Sequence, residues 1–376
     1  MKRIIGVGGV ALLGLAVVTA PAQADQGAVT VVAKKLDNPR GLAFGPDGAL
    51  YIAESGSGGK LKCTTVPGVD GGKAEKICLG LTGRISKLAG GKKSVVTDGL
   101  PSAGSQGSGT GPHDVAVAAD GSLLVAVGMG GDGKLRKGLG PQGKRLATLL
   151  RIKDGKVSVL ADLLKHEIAH NPDKKDKGSV VDSYPYAVVP TADGGALVTD
   201  VGANDVLEVS PTGKVTTRAV FHARMVPAPA NLKMPKGSKV PMQSVPMGIA
   251  AGPDGAYYVA EHNGFPNPDG MARVFKLAGT AKPVTAVKGF TTVADVAFDA
   301  QGRLIVLGSV GPIPADHMTK SSLYRIEADG TRTELLKPGT LTMPLGLAVG
   351  PDGALYVTNK TFVPGKGEVV RVTVPE

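Results

Sequence analysis

Six times along the chain, a strand, a tight glycine turn and a second strand return. They read NPRGLAFGPDGALYIAES (38–55), GPHDVAVAADGSLLVAVG (111–128), YPYAVVPTADGGALVTDV (184–201), VPMGIAAGPDGAYYVAEH (245–262), TVADVAFDAQGRLIVLGS (292–309) and MPLGLAVGPDGALYVTNK (343–360). Repetition on this scale specifies a modular array before any single residue is considered. Five units are followed by a second hairpin: 83–100, 147–164, 204–221, 272–290 and 321–339. The sixth is followed only by EVVRVTVPE (368–376). Four short antiparallel strands per unit, repeated radially, make a propeller blade. The strand missing from the last unit sits at the other end of the chain, in AVTVVAKKL (28–36). Pairing the two closes the ring and leaves no free sheet edge between first and last blades. The expected fold is therefore all-β, a six-bladed propeller closed by strand 28–36. The 55 glycines and 27 prolines suit its many turns.

The first 24 residues stand outside the repeat. Lys2 and Arg3 precede an apolar run from Ile4 to Ala20 and a small-residue ending at Ala22-Gln23-Ala24. This pattern is that of a secretory signal peptide cleaved after Ala24, which leaves 25–376 as one propeller domain outside the cytoplasm. No later stretch is long and apolar enough to span a bilayer. Cys63 and Cys78 are the only cysteines, and in an exported chain they are expected to form a disulfide. The formal net charge of +11 is spread over clusters such as Lys34-Lys35, Lys92-Lys93 and Lys174 to Lys177. Aromatic residues do not interleave with them, so no nucleic-acid partner is expected, and the charge suits solubility or an anionic cell surface. A monomer is expected.

The repeat also says where function belongs. The turns within hairpins, such as GPDG, KDGK and SPTG, are too tight for chemistry. The long insertions (56–82, 101–111, 128–146, 165–183, 222–244, 262–271, 308–320) all fall in the other class of connection and gather on one face. Aligned on the turn glycines, the units place Arg40, His113, Tyr186, Met247, Ala294 and Leu345 around the channel mouth. One position later, Asp114 and Asp295 stand where the other units have Gly or Ala. These two carboxylates are candidate ligands for a cation such as calcium, or partners for Arg40. A second row, six positions after each turn glycine, contains Glu54, Asp200, Glu261 and Asn359. Four equivalent copies exceed what one site requires, so this row is expected to bind backbone N–H groups of its own loops.

HEIAH (166–170) matches the H-E-x-x-H pattern of zinc peptidases, in which His166 and His170 would bind the metal and Glu167 would act as base. Pro172 ends any helix there, and neither a third ligand nor the extended signatures of such enzymes follow. A short solvent-facing helix is expected instead. GSQGSGTG (104–111) and KGLGPQGKR (137–145) lack a nucleophile elbow or phosphate-loop lysine and are expected to be mobile loops.

DNPRGLAFGPDGALYIAESG, CLGLTGRISKL, GPHDVAVAADG and HNPDKKDKGSVVDSYPYAVVPTADGG resemble the ScyD/ScyE family of exported bacterial propellers, insertions included. That resemblance implies a secreted six-bladed propeller without a settled reaction, substrate or cofactor. More distantly the chain resembles NHL-repeat, gluconolactonase-like and streptogramin-lyase-like propellers, whose enzymes hold a divalent metal in the channel. In the lactonases a glutamate ligand opens the first inner strand, whereas NPRGLAF here carries Arg40. Two functions follow. The first is a non-catalytic extracellular binding or scaffold protein for a small molecule, cell-wall polymer or protein. The alternative is a calcium-type hydrolase or lyase using Asp114, Asp295 and His113, with Glu54 or Glu261 assisting.

Overall fold

The computed structural model describes residues 27–66, 73–105, 108–311 and 321–374; the segment expected to be a signal peptide, 1–24, lies outside them. The chain forms six four-stranded antiparallel blades whose innermost strands contact one another in sequence order and close into a ring. These inner strands are Pro39–Phe44, Pro112–Val117, Pro185–Pro190, Ser244–Ala251, Thr292–Phe298 and Leu347–Val349. The sixth blade takes its outer strand, Ala28–Leu36, from the start of the propeller. That strand pairs antiparallel with Gly367–Thr373, from Ala28 opposite Thr373 to Leu36 opposite Gly367.

Each inner hairpin turns at a glycine with positive φ: Gly48, Gly121, Gly194, Gly255, Gly302 and Gly353 lie between 72° and 85°. L-residues with a Cβ pay for this conformation, and glycine does not. The core lies between blades rather than in the channel. Leu124, Ala126 and Leu149 of the second blade, for example, pack on Val188, Val198 and Leu207 of the third. Alternate residues of each strand point to opposite faces of the sheet, so every blade offers an apolar surface to both neighbours.

Four insertions are more ordered than the sequence suggests. Glu75–Ala89 and Lys92–Ser105 continue well beyond the expected hairpin, and Lys62–Val66 and Ser108–Thr110 add to their ends. Cys63 and Cys78 face each other across this extension and are disulfide-bonded. The segment expected to be mobile at 137–145 instead joins a short helix, α1 (Gly133–Gly138), to a single 3-10 turn. Leu139 and Leu146 anchor it fully buried in the core. Residues 222–244 hold a small hairpin, Arg224–Pro227 with Lys239–Met242.

Some of the small residues in the ring are small because a neighbouring blade occupies their space. A Cβ at Gly248 would press on the Asp295 carboxylate and lie 2.7 Å from its Cα. Gly248→Ala is therefore expected to destabilise the fold by about 2 to 3 kcal/mol. Gly353→Ala, with open space around its Cβ, should cost only about 1 kcal/mol through its φ. Urea unfolding of both variants tests the difference, and equal losses would refute the close approach.

Candidate functional site

All six residues of the aligned ring position, Arg40, His113, Tyr186, Met247, Ala294 and Leu345, line one cavity of about 250 Å³ at the mouth of the channel. The inner strands put them there because each occupies the same register in its blade. Other segments contribute residues that the alignment does not reveal: Tyr184 and Met343 on the approach to two inner strands, and Phe362 from the last blade. Tyr184 and Tyr186 are two apart and so share one side of the strand. That alternation was the available signal for Tyr184. Phe362 lies outside the repeat and gave none.

Arg40 dominates the electrostatics of this cavity. Its side chain is buried, only 2 % exposed, and it makes no ion pair among the described residues. Nε donates to Ser55 Oγ at 3.3 Å and Nη2 to the Gly109 carbonyl at 3.4 Å, while Nη1 has no partner. The guanidinium also stacks 4.1 Å from the Phe362 ring centre, a favourable cation–π geometry. Burial pulls its pKa down, and only the Tyr184 and Tyr186 phenols oppose that. An arginine nevertheless stays protonated.

His113 packs its ring 4.0 Å from that of Tyr186, and its Nδ1 lies 3.0 Å from the Tyr186 carbonyl. A carbonyl only accepts, so Nδ1 carries the proton and Nε2 is left as an acceptor. Burial and then the charge of Arg40 hold the His113 pKa well below the usual histidine range, so the ring is neutral. The Tyr186 hydroxyl is buried without a partner, and burial drives its pKa far up. The cavity thus combines a cation, a neutral imidazole and phenolic hydroxyls with walls of Met, Leu, Pro and Phe.

Asp114 and Asp295 lie one residue deeper, in a constriction they share with Gly41, Gly248 and Gly346. Neither pairs with Arg40. Asp114 accepts the backbone N–H of Val115 at 2.8 Å and of Val188, in the next blade, at 2.8 Å. Asp295 does the same with Val296 at 2.8 Å and Leu347 at 2.7 Å. Each carboxylate therefore straps its inner strand to the next and lies against a glycine of the blade before. Burial raises the Asp114 pKa to about 7, and burial together with the charge of Asp114 raises that of Asp295 well above the ordinary value.

The second row serves the scaffold. Glu54 accepts the Asp37 N–H at 2.7 Å, Asp200 the Tyr184 N–H at 2.6 Å, and Asn359 Oδ1 the Thr342 N–H at 2.7 Å. Glu261 accepts from Ser244 Oγ and from Arg224 and Arg273. Glu54, Asp200 and Asn359 thus bind the segment entering the inner strand, Glu261 is held chiefly by two arginines, and of the four only Asp200 also serves its own loop, through Gly202 and Ala203.

HEIAH forms the end of a helix, α2 (Leu163–His170), capped by the Asp162 side chain and terminated by left-handed Asn171. Its histidines face outward: their rings stack 4.2 Å apart, and His166 Nε2 lies 2.9 Å from Thr217 Oγ1. Glu167 points the other way and is buried, with its pKa raised to about 8 by burial and by Asp200 and Asp173. The helix is therefore solvent-facing on its histidine side only, and the three residues do not converge. Among the described residues no group of three His, Cys, Asp or Glu side chains is arranged to hold a metal ion.

No protein-family model and no curated protein sequence matches the chain. Solved structures do. A gluconolactonase from Xanthomonas campestris superimposes with a TM-score of 0.54 at 12% identity, over 94% of this chain and 92% of its own. A glucose dehydrogenase gives 0.53 at 15%, over 93% of this chain and 100% of its own. The calcium-binding protein regucalcin from Agrobacterium tumefaciens gives 0.51 at 14%, over 93% and 94%. At these identities the likeness is one of fold, and it corroborates the six-bladed propeller.

A neutral buried histidine has a sign-defined effect on stability. The unfolded chain binds a proton at His113 below about pH 6.5 and the folded chain does not, so this residue's contribution is intact above that pH and lost as pH falls. The stability difference between wild type and His113→Gln should therefore shrink from pH 7 to pH 5, with a slope of at most about 1.4 kcal/mol per pH unit. Chemical unfolding at several pH values measures it, and a difference independent of pH would show that His113 titrates normally.

Proposed function

We propose that the protein is a secreted, non-catalytic binding propeller whose channel mouth takes a small organic anion. Its acidic group would sit on Arg40 and its apolar body against Met247, Leu345 and Phe362. One observation carries this reading: a buried guanidinium with a free Nη1 and no carboxylate partner among the described residues. An uncompensated buried charge is costly, and an anionic ligand supplies the missing counterion through charge-assisted hydrogen bonds. The unpartnered Tyr186 hydroxyl and the acceptor nitrogen of His113 add polar contacts that fix orientation in an otherwise apolar pocket.

The acidic side chains that a hydrolase would need near the channel are engaged elsewhere, Asp114 and Asp295 on backbone amides and Glu261 on two arginines. That supports binding without turnover. The leader at residues 1–24 and the Cys63–Cys78 disulfide support export. The insertions shared with ScyD/ScyE proteins support placing the chain beside those exported propellers.

Isothermal titration calorimetry with a panel of aliphatic and aromatic carboxylates tests the proposal. Binding to wild type should weaken by about 10- to 100-fold in Arg40→Met, the loss expected of a charged hydrogen-bonding group. The variant should keep or raise its Tm, since a lone buried charge has been removed. Undiminished binding in the variant, or cation-dependent turnover of a lactone or ester by wild type, would overturn it.

A further inference from the structure

We propose that a groove between the third and fourth blades binds a small phosphate ester through Arg224 and Arg273, with Arg218 and Lys282 beside them. The site is separate from the Arg40 cavity and does not depend on the reading given for it. One wall is the outer strand of the third blade, Val215–Val220, continued by Phe221 and His222. The other is the third strand of the fourth blade, Ala272–Leu277, with the turn that follows it. Together they enclose about 470 Å³, within the range of small-molecule pockets and more than the cavity at the channel mouth.

The charges that line this groove do not balance. Arg218, Arg224, Arg273 and Lys282 all face it, and no carboxylate does. Glu261, fully buried, holds two of these cations. Arg273 donates to it through Nε at 2.9 Å and Nη2 at 3.0 Å, Arg224 through Nη2 at 2.9 Å, and Ser244 Oγ adds another bond. One negative charge thus serves two guanidiniums. The acid at the edge of the groove, Asp176, is taken up by His222 at 3.1 Å and by the Ala223 N–H.

The two arginines also keep donors in reserve. Arg224 places all of its hydrogen bonds on Nη2, which serves Asn263 Oδ1 and the Met271 carbonyl as well as Glu261. Its Nε is buried without an acceptor. Nη1 of Arg224 and Nη1 of Arg273 make no hydrogen bond among the described residues. The side chains are 25 % and 21 % exposed, so they are fixed by Glu261 yet open to the groove. Burial lowers the Arg224 pKa, Glu261 opposes this and the charge of Arg273 adds to it, but an arginine stays protonated. Like charges held side by side in a partly buried place repel, and an anion set against them relieves the repulsion.

The arrangement selects the class of anion. Guanidinium forks match the paired oxygens of a phosphate, and a phosphate monoester carries up to about two charges at neutral pH. A carboxylate, with one charge, would leave part of the excess unanswered. Arg218 crosses the groove, donating to the carbonyls of Gly279 and of Ala281, the latter at 3.2 Å, and so ties the turn that carries Lys282 to the third blade. Arg273 stacks 4.4 Å from the Phe275 ring centre, which fixes the plane of its guanidinium. Phe221, Phe275 and Pro283 supply apolar wall for the body of the ester.

The test is isothermal titration calorimetry of the full chain with phenyl phosphate, in a buffer free of phosphate and sulfate. It is run in Arg40→Met, so that the channel mouth does not contribute. One phenyl phosphate per chain is expected. Added in that background, Arg224→Gln and Arg273→Gln should each weaken binding by about tenfold or more, the loss expected of a charged hydrogen-bonding group. Each leaves Glu261 one arginine partner, and circular dichroism checks that the fold is kept. Lys282→Ala changes only an exposed turn and should weaken binding severalfold. No binding at millimolar phenyl phosphate would overturn the proposal. So would binding undiminished in all three variants, which would put the anion elsewhere.

Discussion

Everything in this molecule depends on the pairing of its first described strand with its last. Ala28–Leu36 completes the sixth blade by antiparallel pairing with Gly367–Thr373. An open array of blades would expose two unpaired edges and would have no reason to hold a fixed curvature. Closure fixes the six inner strands around a common axis, and only then do residues far apart in sequence, Arg40 and Leu345 among them, share a cavity. The local interactions of the ring reinforce that arrangement. Asp114 and Asp295 tie neighbouring inner strands together, each resting against a glycine whose missing Cβ makes the space.

Buried charge sorts the rest of the structure into scaffold and site. Glu54, Asp114, Asp200 and Asp295 are each held by backbone N–H groups, and Glu261 by two arginines. Such groups are satisfied, and their burial is the ordinary use of carboxylates as substitutes for missing backbone acceptors. Arg40 departs from this pattern as a buried cation without an anion among the described residues, and Asp205, beside Glu167, departs from it as a buried carboxylate without a donor. The departures have opposite sign and lie in different parts of the molecule, one at the channel mouth and the other beneath a peripheral helix.

The blades and the ring position were legible in the sequence because both are written by period. A turn glycine at fixed phase dictates a backbone that other residues resist, and counting from it gives the register of every inner strand. The closing strand was legible from what the last repeat lacked. The insertions carry no such phase. The first blade's long third and fourth strands, and the ordering of residues 137–145 by buried Leu139 and Leu146, depend on contacts with other segments that local composition does not express. Gly- and Lys-rich sequence read as mobile because its few anchoring residues are separated along the chain. HEIAH was correctly placed on a short helix, yet which side of that helix is buried depends on the third blade beneath it. Phe362 reaches Arg40 from a loop with no counterpart in other repeats. The partners of Asp114 and Asp295 were likewise hidden: a backbone amide in the next blade leaves no mark on the sequence.

The central claim is that Arg40 is a buried cation awaiting an anion at the mouth of the channel. A crystal structure grown with a tightly binding carboxylate tests it most directly. The account predicts the carboxylate on Arg40 Nη1 at hydrogen-bond distance, with the body of the ligand between Met247, Leu345 and Phe362. A carboxylate bound elsewhere, with the Arg40 guanidinium paired to an acidic side chain of the protein, would contradict it.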